Sequence, residues 1–352
     1  MTAPSQPLSI LVTGGAGFIG AALVRELAAR GHAVCALDDE SSGSFARLDE
    51  EPRTAQTRRG SVERVRGTVE TALPADLTRF DAVVHLAARV GVAAVVRDPE
   101  ECRARNVSST RALARALSTC ARGVRVFAAS TSEVYRPSSR PLREDAPVRD
   151  RDAVGRWAYA ASKLAGEALL DDAWRARGGA VSHEGRVGRG PVHVRFFNVV
   201  GPGQDSSQGM VLPTFVEHAL ASRPLPVHGD GSAVRTLAHV DDVAVTLADL
   251  LEHPSVPAGP LNVGGTARGS VRELAELVLR HVAGAPGVAR LDPRVVVGPS
   301  FEDIPWREPD LTRLRSLGVR VPERDLDAIV RDTVARHVDC VGWRNACASR
   351  AS

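Results

Sequence analysis

Two groups of residues in this sequence can do chemistry together. Tyr159-Ala160-Ala161-Ser162-Lys163 lies on a stretch that reads as helix. Residues four apart on a helix share a face, so a phenol and an ammonium stand side by side. Thr13-Gly14-Gly15-Ala16-Gly17-Phe18-Ile19-Gly20 follows a short apolar run near the N-terminus and reads as a dinucleotide site. Together they imply a nicotinamide enzyme whose general base is a tyrosine. Alone, each says less: Tyr and Lys at this spacing often decorate a helix surface, and a lone glycine motif is often an ordinary turn.

These residues need elements to hold them. Residues 8–12 read as a buried parallel strand. Gly14, Gly17 and Gly20 fall where it turns into a helix. The first allows the tight turn, the second lets backbone approach a pyrophosphate, and the third lets helix pack on strand. The helix is predicted over residues 18–30, with Phe18, Leu23, Val24 and Leu27 buried and Gly31 ending it. The N–H groups of its first turn, from Phe18 and Ile19 onward, suit phosphate. Residues 33–37 form a second strand ending in Asp38. A carboxylate there accepts hydrogen bonds from ribose hydroxyls and repels a 2′-phosphate, which favours NAD over NADP. Asp39 and Glu40 add to this preference. The other reading of Asp38 is a loop carboxylate capping a turn.

Residues 81–88 read as an apolar strand running into a small-residue turn at Leu86, Ala87 and Ala88. Residues 99–120 read as helix. Residues 123–129 read as a buried strand leading into Ser130-Thr131-Ser132-Glu133-Val134-Tyr135. Alternating strands and helices with Val-rich strands imply an α/β protein with a doubly wound parallel sheet. In such a sheet ligands sit at the C-terminal strand ends, where Gly14, Asp38, His85 and Thr131 all fall. His85 alone reads as a side chain packed beside the ligand. Further on, residues 177–191 are rich in Gly and Arg and read as an exposed loop. Residues 192–196 form a strand, and Gly201-Pro202-Gly203-Gln204 marks a turn and a lobe boundary. Residues 261–265 form a strand and turn, and 270–282 a helix. After about residue 337 no pattern is visible. The expected division is a dinucleotide-binding domain over 1–195 with a return segment near 236–265. An interleaved smaller mixed α/β lobe for substrate spans 196–340, and a tail without order spans 341–352.

Composition bounds the function. The 352 residues are 43% hydrophobic and 25% charged, as in a globular protein long enough for two lobes. Lys+Arg 45 against Asp+Glu 42 gives a net charge of +3. The arginines are scattered, so nucleic-acid binding is not expected. The longest apolar stretches fall short of the roughly 20 residues that span a bilayer. Residues 1–7 lack the features of a signal peptide. Five cysteines with no CxxC pair read as reduced cytoplasmic thiols rather than a disulfide framework, and no metal site is expected.

With these residues in view, the chain resembles the extended short-chain dehydrogenase/reductase family, in particular its nucleotide-sugar epimerases, dehydratases and decarboxylases. The resemblance runs from about Leu8 to about Val334 and is collinear. It takes in the glycine loop, Val84-His85-Leu86-Ala87-Ala88, residues 130–135, Tyr159 to Lys163, Arg195-Phe196-Phe197-Asn198-Val199-Val200-Gly201-Pro202, Gly229-Asp230-Gly231 with Arg235, His239-Val240-Asp241-Asp242, and Arg307-Glu308-Pro309-Asp310. It implies a Rossmann-type fold and NAD as cofactor. It implies that Tyr159 takes the sugar O4 proton, that Lys163 binds nicotinamide ribose and lowers the tyrosine pKa, and that Thr131 bonds the same hydroxyl. Asn198, Arg235 and Arg307 would face the substrate's phosphates. A homodimer is implied, joined through the helices near 99–120 and 158–174, the second carrying Leu164, Ala168 and Leu169. Two departures stand out. Gly60-Ser61 replaces a Gly-Asp whose Asp reaches adenine, and Arg136 follows Tyr135 where Gly is usual.

The reaction is read from Glu133. The shared first step oxidises sugar C4. A C5 carboxylate is then lost as CO₂, a C6 hydroxyl as water, and a sugar with neither is re-reduced on its other face. Simple 4-epimerases commonly have an uncharged residue at position 133. Dehydratases and uronate decarboxylases both resemble this chain in carrying Glu at 133, but dehydratases of the dTDP-glucose type prefer Asp at 132, where this chain has Ser132. The Thr131-Ser132-Glu133 trio and Arg156-Trp157-Ala158-Tyr159 are most similar to UDP-glucuronate decarboxylases. The expectation is decarboxylation of UDP-glucuronate to UDP-xylose or its 4-keto precursor. The alternatives are a UDP-sugar 4-epimerase, a UDP-sugar dehydratase, and a non-catalytic NAD sensor.

Overall fold

The computed structural model describes residues 6–50, 60–74, 76–120, 123–178, 190–292 and 306–348. The first half alternates as expected: β1 (Ser9–Thr13), α1 (Phe18–Ala29), β2 (Ala33–Asp38), β3 (Ser61–Arg66), α2 (Val69–Ala72), β4 (Ala82–His85), α3 (Val92–Arg97), α4 (Pro99–Thr119), β5 (Arg125–Thr131), α5 (Ala158–Ala176) and β6 (Val192–Phe196). The second half adds β7 (Val199–Val200), α6 (Val211–Leu220), β8 (Leu225–His228), β9 (Val234–His239), α7 (Val240–Glu252), β10 (Gly259–Val263), β11 (Ala267–Ser270), α8 (Val271–His281), β12 (Val288–Leu291) and β13 (Trp306–Arg307). A short helix, Thr312–Ser316, and a C-terminal helix, Leu326–Ala348, close the chain.

The large sheet has seven strands in the order β10-β6-β5-β4-β1-β2-β3, all parallel. This is the doubly wound Rossmann order, and its crevice lies where β1 meets β4. Period-two burial explains why these strands bury both faces. On β1, Ile10 and Val12 join a core with Leu23, Val24 and Leu27 of α1 and Leu247 and Leu251 of α7, while Leu11 points to a core with Leu113 and Leu117 of α4 and Leu170 of α5. Phe18, expected buried, packs against the first core only in part. A smaller sheet, β11-β9-β13 with β7 on β9, adjoins a third core. That core joins Phe215 and Val216 of α6, Leu274 and Val278 of α8, and Ile329 and Val330 of the C-terminal helix. Ser270 starts α8 with a capping box closed by Glu273.

Three expectations need correction. The ligand end of β3 is Gly67-Thr68, not Gly60-Ser61. Gly60 precedes the strand and donates to the Ala28 carbonyl, whereas Gly67, at φ +155°, donates to the Asp38 carbonyl. β3 is an edge strand with mostly exposed side chains, so no apolar run announced it. The helix at the C-terminus runs to Ala348, through the segment expected to lack pattern. It is anchored by Ile329, Val330 and Val334 in its first half. Leu164, expected at a subunit surface, is buried with Val134, Tyr135, Leu142 and Phe197. The loop read at 177–191 lies mostly outside the described residues. Among the described residues no helix is long and apolar enough to cross a membrane.

Candidate active site

At the end of β1 the glycine loop is closed by backbone bonds. The N–H groups of Gly14 and Gly15 donate to the Leu37 carbonyl, and Gly17 donates to Gly14. Gly14 takes φ +72°, and a Cβ there would stand 2.7 Å from the Ala87 nitrogen. A Cβ on Gly20 would meet the Gly14 carbonyl oxygen at 1.9 Å. Only glycine lets β1, α1 and the turn after β4 approach this closely. Gly17 caps α1 without a side chain, and the helical ladder begins with Ala21 donating to Gly17. The Phe18, Ile19 and Gly20 N–H groups are therefore the donors of an open first turn. Asp38 ends β2 beside this loop. Its Oδ2 accepts from the Ala16 N–H at 3.0 Å and its Oδ1 from the Glu40 N–H at 2.7 Å, so it also caps a turn. Burial raises its pKa, and those two N–H groups pull it back down. The arrangement fits a dinucleotide. It offers open helix N–H groups that suit a pyrophosphate and a carboxylate at the end of β2 beside them.

His85 ends β4 opposite Thr13 of β1. Its Nδ1 is 2.8 Å from the Thr13 hydroxyl and its Nε2 is 3.3 Å from the Thr110 hydroxyl. Thr110 in turn donates to the Asn106 carbonyl. Burial, with the nearby Lys163 charge, pushes the His85 pKa down to about 3, so the ring is neutral. It packs beside the site as the sequence suggests.

Tyr159 and Lys163 share one face of α5, with the Lys163 Nζ 5.8 Å from the centre of the Tyr159 ring. Burial lowers the Lys163 pKa to about 8. The Tyr159 pKa is raised, first by burial and then by the Glu133 carboxylate. The expected lowering by Lys163 is therefore not the net effect. Lys163 is the only lysine in the chain, every other basic side chain of this class being arginine. Arginine cannot release its proton in a protein, whereas this lysine can.

Glu133 sits in the turn after β5, where the Thr131 hydroxyl accepts from the Glu133 N–H. Its carboxylate lies between two guanidinium groups, Arg156 at 3.7 Å and Arg307 at 3.6 Å. Arg307 also donates to the Ser132 hydroxyl at 3.3 Å. Burial lowers the Arg307 pKa and the Glu133 carboxylate opposes it. Arg235 is the register partner of Arg307 across β9 and β13. Arg156 and Arg149 both lie over the Trp157 ring. Of the residues predicted from sequence, Thr131, Ser132, Glu133, Tyr159, Lys163, Arg235 and Arg307 are thus assembled around one turn. Asn198 adopts φ +37° and donates its amide to the Thr236 carbonyl, anchoring β9.

Sequence reading missed several supports. Asn106 bridges the Arg89 backbone and Ser162. Glu167 accepts from Ser130 and from Arg195 in a fork. Its place four residues after Lys163 was the one available signal.

This fold and site define a dinucleotide-dependent enzyme. The chain belongs to the NAD-dependent epimerase/dehydratase family, whose family model matches residues 10–264. It is 30% identical over 330 residues to a UDP-N-acetyl-alpha-D-glucosaminuronate decarboxylase of Bacillus cytotoxicus, covering 92% of this chain and 96% of that protein. It is 33% identical over 316 residues to a UDP-glucose 4-epimerase of Mycolicibacterium smegmatis, covering 87% and 91%. Among solved structures it is similar to the dTDP-glucose 4,6-dehydratase DesIV of Streptomyces venezuelae with NAD bound. The TM-score is 0.77 at 28% identity, covering 96% of this chain and 98% of that one. The protein is an NAD-dependent, nucleotide-sugar-modifying enzyme.

Proposed function

We propose that the enzyme decarboxylates UDP-glucuronate through a 4-keto intermediate, giving UDP-xylose or the UDP-4-keto-pentose. The observation that carries this reading is Glu133 held between Arg156 and Arg307, with Ser132 on Arg307 and Tyr159 beside them. A pair of guanidinium groups suits a substrate carboxylate. Arg307 is accordingly reassigned from the diphosphate to the sugar end, while Arg235 remains toward the diphosphate. The decarboxylase relative named above acts on a UDP-uronate, which agrees.

The phenolate of Tyr159 takes the O4 proton as C4 is oxidised, with Thr131 bonding the same oxygen. NAD would be held by Gly14, Gly17, Phe18, Ile19, Gly20, Asp38, Leu86, Ala87, Ala88 and Lys163, and would supply the acceptor for the C4 hydride and its return where UDP-xylose is the product. The 4-ketone makes the C5 carboxylate part of a β-keto acid. The C5–carboxylate bond breaks, CO₂ leaves, and the electron pair becomes an enolate. A proton from solvent then reaches C5 through water held by the Glu133 carboxylate. Too tight a grip on the carboxylate would stabilise the ground state and slow its loss, and sharing the guanidinium groups with Glu133 moderates that grip. Incubation with NAD and a panel of nucleotide sugars, read by product mass, tests the reading. Loss of CO₂ from UDP-glucuronate supports it. An unchanged mass with inversion at C4 makes the enzyme a 4-epimerase, and loss of water makes it a dehydratase.

Two further expectations follow from the same reading. NAD should bind at least about tenfold more tightly than NADP, because a 2′-phosphate would meet the Asp38 carboxylate and forfeit charged hydrogen bonds each worth roughly 1.5–3 kcal/mol. Titration calorimetry with both cofactors measures this, and equal affinities contradict it. The enzyme should also be an isologous dimer built on α4 and α5, with Ala168 and Leu169 on the contact face. Light scattering at micromolar concentration should give twice the chain mass, and a monomer contradicts it. We place the enzyme in the cytoplasm.

A further inference from the structure

A small cavity lies beside Lys163. It is lined by His85, Thr110, Ala128, Ser130, Lys163, Glu167 and His193, with Gly166 among the apolar remainder. Its origin is legible in the register. His85, Ala128 and His193 are direct partners across β4, β5 and β6. Strands lie about 4.8 Å apart, so the two imidazoles flank a single methyl group, roughly 10 Å from one another. Gly166 covers the gap from α5 and adds no side chain. The result is room for one water molecule in a polar setting.

His193 is the unexplained group there. It is 1% exposed. Its Nε2 is 2.8 Å from Asp171 Oδ1, so that nitrogen carries the proton and donates it to the carboxylate. Nδ1 is then a lone-pair acceptor, and it has no hydrogen-bond partner among the described residues. A buried polar atom of this kind calls for a partner. The neighbouring groups differ. His85 uses both nitrogens on threonine hydroxyls. Glu167 is committed to Ser130 and the Arg195 fork, and Arg195 holds its pKa down against burial.

We propose that the cavity holds one water molecule linking Lys163 Nζ to His193 Nδ1, making the His193–Asp171 pair a buried proton acceptor for the active-site lysine. In the transfer, an N–H bond of the ammonium breaks as a bond to the water oxygen forms. The water's other O–H bond breaks as Nδ1–H forms. One proton moves, the charge is conserved, and Asp171 faces the resulting imidazolium. Tyr159, Cys102, His85 and Glu167 are the other titratable groups around Lys163, and Asp171 and Glu167 those around His193. The arrangement gives the Tyr159–Lys163 pair an outlet for its proton other than the substrate. This rests on Tyr159 and Lys163 being the acid–base pair, not on decarboxylation.

The test needs no substrate, so it stands apart from the reading of the reaction. With a single lysine in the chain, ¹⁵N-lysine labelling gives one side-chain signal, from Lys163. In the full-length protein that signal should report two coupled protonations, one of them seen also at His193 Nδ1 by ¹⁵N-histidine labelling. His193→Asn keeps a polar group for the water but cannot take the proton, and should leave one step. A high-resolution crystal structure of the wild type should show one ordered water about 3 Å from both atoms. A single-step lysine titration in the wild type overturns the proposal, whether or not the variant folds. So does a cavity without that water.

Discussion

Replacing Tyr159 with phenylalanine should lower turnover by about 10²–10⁴-fold while leaving UDP binding in place. The substitution keeps the ring on α5 and removes only the proton acceptor. The phenol stands in an environment that resists ionisation, since burial and the Glu133 carboxylate both raise its pKa. Lys163, whose Nζ lies 5.8 Å from the ring centre, is the nearby cation that favours the phenolate. The rate of product formation and the UDP affinity by calorimetry should therefore separate, the first falling and the second holding. Turnover close to wild type would make Tyr159 a structural residue. On the proposed reading Lys163 works as a cation; its pKa is lowered to about 8, so activity should also decline as pH rises through that value.

The second large effect is expected at Glu133. Glu133→Gln keeps the side chain's shape and its place between Arg156 and Arg307, but it removes the carboxylate and its charge. Decarboxylation should slow by about 10²–10⁴-fold, as for loss of a general acid–base group. Substrate affinity should change far less or rise, because both guanidinium groups become available to the substrate carboxylate. A fall in kcat with KM unchanged or lower is the expected pattern. A rise in KM with kcat preserved would make Glu133 a binding residue instead.

Much of this site was legible because its signals are local. The glycine loop, the strand before it and the Asp38 strand end follow one another within a single βαβ unit, and the Tyr159–Lys163 spacing is one helical turn. The parallel order of the strands then gathers these residues at the C-terminal ends of the strands. What was not legible comes from separate segments. Nothing in the sequence brings Arg307 of β13 onto Ser132, because β13 reaches the site only by pairing with β9. The edge strand β3 carries charged, exposed residues, so its ligand-end turn at Gly67-Thr68 was misplaced to Gly60-Ser61. The helix beyond Val334 continues without the apolar spacing that marks its start. His193 interrupts an otherwise apolar strand, and only the register that sets it beside Ala128 shows why it matters.

The central claim is that CO₂ leaves from C5 of a 4-keto UDP-uronate and that the enzyme then reprotonates that carbon. The most direct measurement is to run the wild-type enzyme with UDP-glucuronate and NAD in D₂O and examine the product by mass spectrometry and NMR. The account predicts a UDP-pentose or UDP-4-keto-pentose with one deuterium at C5. A product that keeps its carboxylate, carries no deuterium at C5 and is inverted at C4 would contradict it.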